Sequence, residues 1–420
     1  MTVSKSLAIV NIGQLVTLAG PARPRVGAEL SELGIISDAA LLIEDGCVAA
    51  AGPYHEIKSK GLLDGVAVVD AQGRCVTPGF VDAHTHMVFA GNRAAEFEQR
   101  IAGASYQQIA AAGGGIANTV RATRAATEEE LLAESRRHRD WMLRSGTTTA
   151  EAKSGYGLER ETELRMLRAM ARLNAEGPMR IVPTLLAAHT VPPEFAARRD
   201  EYVRWVAEEL IPEVAELKLA KYCDVFCDDH AFTVEEARMV LMAAVRHGLG
   251  LRVHAEQFRA GTGAVMASIL GAATADHLEA IEEEDLFHLW SAGTQPVLLP
   301  GSVFALGRTA YPPARKMIER KLAIVLATDF NPGSSPICSM PFILSLACLQ
   351  MGLTPAEALS AATINAAWSL GLGDSIGSLE TRKLADFLIH EFTDFREIAY
   401  YIAAAESPRV FIAGKEVTSS

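Results

Sequence analysis

In the run CVTPGFVDAHTHM, from Cys75 to Met87, His84 and His86 stand one residue apart at the end of a short apolar segment opened by a Pro-Gly turn. On a β-strand, residues i and i+2 share a face, so both imidazoles can reach one cation; a helix would separate them by roughly 200°. Gly79-Phe80-Val81 lies just before the pair, and Met87-Val88-Phe89-Ala90 leads from it into a charged, glycine-bearing loop. That is the pattern of a buried parallel strand opening into an active-site loop. A bare His-x-His pair also occurs as packed or surface residues, so a metal reading needs partners from elsewhere in the chain.

Such partners stand at the ends of other strand-like runs. Eight strands are predicted, at Gly79 to Ala83, Thr147 to Ala152, Arg180 to Ala187, Tyr222 to Phe226, Leu251 to His254, Ala273 to His277, Thr294 to Leu299 and Ala323 to Ala327. Lys153 and Tyr156 follow the second, His189 the third, His254 the fifth, His277 the sixth and Asp329 the eighth. Five of the eleven histidines thus fall at strand ends, which core packing does not explain. Three imidazoles and one carboxylate suit one Zn²⁺ or Fe²⁺ at an open site. Such an ion lowers the pKa of a bound water toward neutrality and polarises a carbonyl. Asp329 is then placed to take the water's proton, and His277 to hold the developing oxyanion.

The elements between these runs are amphipathic and rich in Ala, Glu and Arg. They include a helix over Thr127 to Leu143, opened by a Thr127-x-x-Glu130 capping box, and another over Glu159 to Asn174. Eight βα units over roughly 300 residues predict an α/β fold, a (β/α)₈ TIM-like barrel, with a doubly wound sheet as the weaker option. The first 75 residues hold instead short β-like runs (Leu7 to Val16, Ala39 to Ile43, Val48 to Ala51, Val66 to Val69). Strands return near Ala385 to Ile389 and Arg409 to Ile412. The expected organisation is therefore a barrel over 76–374 inserted into a small discontinuous β-sandwich domain made of 1–75 and 375–420.

Composition bounds the function. Hydrophobic content of 49% with 21% charged residues describes a globular, well-buried chain. A formal net charge of −12 without a Lys/Arg block disfavours nucleic acid and anionic membranes. No apolar run reaches the roughly 18 residues of a membrane span. Asn11 and Gln14 break the N-terminal apolar stretch, which reads as a strand rather than a secretion signal. Six scattered cysteines fit a reducing cytoplasm, with Cys223 and Cys227 as small buried hydrophobes.

The motif VDAHTH, a later lone His, the His277-Leu278 pair and Thr328-Asp329 resemble the amidohydrolase superfamily, whose members wrap a metal-centred barrel in a small β-sandwich. More narrowly, HTHMVFAGNRAAEFEQR, ASYQQIAAAGGGIANTVRATRAAT, EAKSGYGL, LLAAHTVPPEF, DVFCDDHAFT, TADHLE and ATDFNPGSSP resemble the imidazolonepropionase family, spread from about Thr77 to Leu370. The resemblance implies one divalent ion, Zn²⁺ or Fe²⁺, on His84, His86, His254 and Asp329. It also implies substrate contacts at Arg93, Tyr156, His189 and Gln257, with Asn331, Gly333 and Ser334 near substrate or product. The implied reaction is hydrolysis of 4-imidazolone-5-propanoate to N-formimidoyl-L-glutamate in histidine degradation.

Several of these positions make sense on their own. Arg93 lies in the loop after the histidine pair, where a guanidinium could fork onto a propionate, though a solvated loop charge looks the same in sequence. Glycines flank Tyr156 and free the backbone to present its ring. Strand alternation puts Glu256 on the face of His254, so Gln257 reaches the site only if the strand ends just after His254. A neutral amide cannot shuttle a proton, so Gln257 is read as a binding residue. Gly113-Gly114-Gly115 lacks the Gly-Lys-Ser/Thr of a phosphate loop and reads as a mobile loop or a tight helix start. Lys153 could be carboxylated to bridge two metals, but no lysine ends the fourth strand, and one metal is expected. Another cyclic-amide hydrolase or an aromatic-base deaminase would share the barrel without needing a carboxylate anchor. A silent binding barrel would have no physical reason to keep a full ligand set. Partners are expected to be a small-molecule substrate and a second copy in a homodimer, the commonest closed assembly.

Overall fold

The computed structural model describes residues 6–104, 108, 113–229, 231–402 and 407–417; the stretches 105–107 and 109–112 of the long glycine-bearing motif lie outside the described residues. Two eight-stranded sheets organise the chain. The first is mixed and comes from both termini: β1 (Ser6–Val16), β2 (Ile35–Glu44), β3 (Cys47–Pro53), β4 (Ala67–Asp70), β5 (Cys75–Pro78), β14 (Phe387–Ile389), β15 (Arg409–Ile412) and β16 (Lys415–Val417). Its order is β16-β15-β14-β5-β1-β2-β3, with β4 also on β1. Asn11, which interrupts the apolar N-terminal run, takes a left-handed φ of 53° at a bulge in β1. Asn tolerates that conformation. The bulge divides β1 so that its first half pairs with β4 and its second half with β5. The sheet's own core contains Ile9, Leu15, Leu41, Val76 and the cross-strand pair Phe387 and Phe411, whose rings stack 4.4 Å apart.

The second sheet is wholly parallel: β6 (Phe80–Asp82), β7 (Thr147–Lys153), β8 (Arg180–Ala188), β9 (Tyr222–Cys227), β10 (Gly250–Ala255), β11 (Thr274–His277), β12 (Gln295–Leu298) and β13 (Val325–Leu326). All eight predicted strands are present, within two residues or so of their expected limits. Beyond the ends of β6 and β13 the barrel is closed by Asp329 N donating to His84 O at 3.0 Å and His86 N donating to Phe330 O at 2.9 Å. Asp82 accepts from both the amide and the hydroxyl of Thr328 across the same seam. Helices cover the outside, including Glu128–Arg144, where Thr127 and Glu130 form the expected capping box. The helix Ile364–Ser369 packs Ala366 and Ala367 against Val297, Val325 and Ala327. No helix of the described residues is long and apolar enough to cross a membrane.

The chain passes from one sheet to the other at Gly79. A Cβ there would lie 2.3 Å from Thr148 Cγ2, so glycine lets β6 seat against β7. Gly79→Ala is expected to destabilise the protein by about 1–3 kcal/mol through overpacking. Thr148→Ala in the same chain should recover part of that loss, as read by denaturant unfolding; an unchanged midpoint for the single variant would refute this account of the crossing.

Candidate metal and substrate site

The strand ends converge on one cluster. Asp329 Oδ1 lies 3.5 Å from both His84 Nε2 and His86 Nε2. The rings of His84 and His254 are 4.5 Å apart, and those of His86 and His254 are 5.5 Å apart. Two overlapping sets have ligand atoms within 4.8 Å of one another: His84, His86 and Asp329, and His84, His254 and His277. All five residues are buried. His84 Nε2 and His254 Nε2 have no hydrogen-bond partner among the described residues. Buried imidazole nitrogens without a partner are costly unless a cation satisfies them, so this donor set fits a metal ion.

Carboxylates behind the rings set the tautomers. His84 Nδ1 lies 2.6 Å from Asp276 Oδ2, and His254 Nδ1 lies 3.0 Å from Asp224 Oδ2. A proton on Nδ1 faces the carboxylate directly at His84 and off the hydrogen-bond angle at His254, and Nε2 is left as the donor toward an ion. Burial and neighbouring positive groups hold His84 and His86 well below the ordinary imidazole range, in the neutral form that ligation requires. Burial opposes the charge on Asp224, but His254 and Lys153 beside it hold its carboxyl well below the usual range. Lys153 is fully buried and bonds to Glu151 Oε1 at 2.8 Å and Asp224 Oδ2 at 2.7 Å. Those are contacts of an ammonium. A carbamate would be repelled there.

Backbone strain places several of the functional groups. Glu256 (φ 48°), His277 (φ 80°), Leu278 (φ 67°) and Asp329 (φ 54°) all adopt left-handed conformations, which non-glycine residues rarely hold outside over-determined sites. At Glu256 this breaks the strand alternation immediately after β10. Its carboxylate turns away to accept from Gly263 N and Ala264 N, and Gln257 swings into the cavity instead.

That cavity, about 930 Å³, is lined by His86, Arg93, Tyr156, His189, Gln257 and Asp329 among others. His254, His277, Asn331, Gly333 and Ser334 also reach it, so every candidate metal, catalytic or substrate-binding residue from the sequence except the wholly buried His84 borders the same space, while Lys153 lies buried away from it. His189 Nδ1 lies 3.1 Å from Gly155 O, and its ring stacks on His86 at 5.1 Å. Gly155 (φ 101°) permits this approach, since a Cβ there would meet Leu186 O at 2.7 Å. Arg93 Nε donates to Thr119 Oγ1 at 2.8 Å, and the guanidinium lies against Gly333, where a Cβ would come within 2.2 Å of Nη1. Asn331 spends its amide on its own loop: Oδ1 accepts from Gly333 N and Ser334 N at 2.8 Å, and Nδ2 donates to Asp329 O. Its part is to shape the wall beside Asp329.

Comparison with known proteins decides the family. A family profile, the amidohydrolase family, matches residues 75–417. The chain is 55% identical over 408 residues to the imidazolonepropionase of Solibacter usitatus, with 97% of each chain covered. It is 46% identical over 409 residues to that of Geobacillus kaustophilus, covering 97% of this chain and 96% of the relative. The chain belongs to the imidazolonepropionase family of amidohydrolases. Among solved structures, a 5-methylcytosine deaminase from Klebsiella pneumoniae superposes with a TM-score of 0.73 at 17% identity, covering 98% of this chain and 97% of that one. An E. coli guanine deaminase gives 0.71 at 19%, covering 98% and 99%. At those identities the likeness is one of fold. Family membership and the cluster together give the chain a divalent metal site.

For this imidazolonepropionase family member, sequence reasoning overlooked the carboxylates that serve the site from behind. Asp224 and Asp276 stand on β9 and β11. Glu151 shares a strand face with Lys153, and Arg252 shares one with His254. Of these, only Arg252 stands two positions from a proposed ligand, His254; Asp224 and Asp276 have no ligand at that spacing, so strand alternation carried no signal for them. Glu163 was also missed; it accepts from Gly155, Gly157 and Leu158 amides and so holds the loop that carries Tyr156.

Burial raises the Asp329 carboxyl to about 6 against the opposing effect of His277 and His254. A protonated carboxyl cannot ligate, so apparent metal affinity should be complete above that pH and fall as pH drops through it, by about tenfold between pH 7 and 5. Zn²⁺ competition titrations across this range check the slope, and Asp329→Asn should abolish it along with most of the affinity. A flat profile in the wild type would contradict the assignment of Asp329 as a ligand.

Proposed function

We propose that the chain hydrolyses the ring amide of 4-imidazolone-5-propanoate, giving N-formimidoyl-L-glutamate. The supporting observation is that one cavity holds both required halves: a His/Asp cluster at its floor, and in its wall an Arg93 whose two terminal nitrogens have no protein hydrogen bond among the described residues. His84, His86, His254 and Asp329 would hold one Zn²⁺ or Fe²⁺, which when bound supplies Lewis acidity toward the ring carbonyl and an acidified water.

The chain's own groups do the rest. Asp329 takes the attacking water's proton and passes it to the ring nitrogen as the carbon–nitrogen bond breaks, and the carbonyl carbon becomes the α-carboxylate of the product. His277 Nδ1 lies 3.4 Å from Glu279 Oε1. Burial opposes a charge on His277, but Glu279 together with Asp329 and Asp276 outweighs it and raises the imidazole above its ordinary range. A protonated ring can donate from Nε2 to the oxygen that gains charge, and it has no lone pair for a metal, which favours the donor role over ligation. Burial raises the Tyr156 phenol, which stays a hydrogen-bond donor. Tyr156 and His189, with rings 5.4 Å apart, would bracket the imidazolone ring. Arg93 would fork onto the propionate, Gln257 would bind through its amide, and Gly333 and Ser334 would border the substrate beside Asp329.

A cytoplasmic setting agrees with six cysteines that show no disulfide among the described residues. A homodimer agrees with exposed Met239, Met242, Ile269, Phe287 and Trp290 on the outer helices. Light scattering at twice the 45.0 kDa chain mass is the check on the dimer.

The first assay is loss of imidazolonepropionate ultraviolet absorbance, before and after chelation and readdition of Zn²⁺ or Fe²⁺. Metal-dependent turnover is expected; none from a folded, metal-loaded sample would move the substrate to another cyclic amide or an amino-substituted base. Arg93→Ala, and Gly333→Ala through displacement of Arg93, should raise KM by about 10–100-fold, the worth of a lost charge-assisted hydrogen bond. Unchanged KM in Arg93→Ala would remove the carboxylate anchor from the account.

A further inference from the structure

Barrel interiors are usually filled by Val, Ile and Leu. Here the layer beneath the metal cluster holds Glu151, Lys153, Asp224, Arg252 and Asp276, all completely buried. The proposed reaction uses none of them directly. Apolar side chains of similar volume would commonly be as stabilising or more so, because desolvating this many charges offsets most of their attraction. Stability therefore does not explain the layer.

Its connections do. Lys153 Nζ reaches Glu151 Oε1 at 2.8 Å, Asp224 Oδ2 at 2.7 Å and Asp276 Oδ2 at 3.7 Å. The same Asp224 oxygen lies 3.0 Å from His254 Nδ1, and the same Asp276 oxygen lies 2.6 Å from His84 Nδ1. Glu151 makes the third arm. Its Oε2 accepts from Thr85 N at 3.2 Å, while the Thr85 hydroxyl donates to Glu151 O at 2.6 Å. Lys153 N itself donates to Thr85 O at 2.9 Å. Thr85 is the residue between His84 and His86. Three of the four groups assigned to the metal are thus tied back to one ammonium. Arg252 also approaches Asp276 Oδ2 at 3.7 Å and Glu151 Oε1 at 3.8 Å, but its hydrogen bonds go to Ala83 O at 2.7 Å and Ser369 O at 3.2 Å, and the short contacts to Glu151 and Asp224 belong to Lys153. A compact ammonium with three rotatable donors suits carboxylates arriving from three strands better than a planar fork does.

We propose that Lys153 is a positioning residue for the metal site: its buried ammonium fixes Asp224, Asp276 and Glu151, and through them the orientation of His254, His84 and the His84-Thr85-His86 backbone. Lys153 touches neither substrate nor ion. The inference rests on the reading that His84, His86 and His254 are ligands, and its test keeps the two apart.

Zn²⁺ affinity is measured on the purified full-length chain by competition with a chromogenic chelator, and the visible ligand-field spectrum is recorded after Co²⁺ substitution. Lys153→Met, folded by circular dichroism, should bind Zn²⁺ about 10–100-fold more weakly, the usual effect of losing a partner behind a ligand. Its Co²⁺ bands should shift in position or intensity, which a purely structural role would not cause. Should Lys153→Met be recovered only unfolded, Lys153→Arg keeps the charge but redirects its donors, and carries the same expectation. Affinity within threefold of wild type, or an unchanged Co²⁺ spectrum, in the folded variant overturns the proposal. His254→Ala separates the two readings. If it retains wild-type Zn²⁺ affinity, the ligand assignment fails; if it loses the ion while Lys153→Met keeps it, only the role of Lys153 fails.

Discussion

Asp329 N donating to His84 O, 3.0 Å across the seam between the first and last barrel strands, is the contact on which the site depends. Residues 245 positions apart in sequence become neighbours only because this seam closes. His86 N to Phe330 O continues the closure, and Asp82 with Thr328 secures it one step deeper. The seam therefore brings the His-x-His pair of one strand to the carboxylate of another. The remaining strands fill in between, delivering Tyr156, His189, His254 and His277 to the same end of the barrel, where βα loops surround the cavity.

Two unfavourable features accompany that convergence. One is backbone strain: Glu256, His277, Leu278 and Asp329 hold left-handed conformations at about 1–3 kcal/mol each. The other is a charged layer under the cluster, where a barrel could have used aliphatic side chains. Both concentrate where imidazoles must be neutral, correctly tautomeric and aimed at one point. The apolar packing of the helical shell and the terminal sheet supplies the stability against which these costs are set. Glycine makes its contribution where backbone must come close, at Gly79 against Thr148, Gly155 against His189 and Gly333 against Arg93.

Much of the architecture was legible because it is written in local patterns. Apolar runs alternating with amphipathic helices located all eight barrel strands, and the capping box at Thr127 located a helix start. Residues ending those runs nominated the histidines and Asp329, since a parallel barrel can place chemistry only at one end of its strands. Gln257 shows the limit of such reasoning. Alternation alone assigns Glu256 to the face of His254. The left-handed turn at Glu256 reverses this, and it is held by amides from Gly263 and Ala264 that period-2 logic does not see.

What the sequence determined by itself was the set of donors and the strands that carry them, because residue type and strand period are properties of a short stretch of chain. What only the tertiary structure decided was which buried charges answer one another. Lys153, Asp224 and Asp276 come from three strands, and each looks like an ordinary polar residue until barrel curvature brings the ammonium to 2.7 Å from one carboxylate and 3.7 Å from the other beneath the cluster. The physical reason is that a carboxylate's role depends on the cation and imidazole it meets at about 3 Å, and those distances are set by closure, shear and backbone strain across the whole barrel rather than by any local pattern.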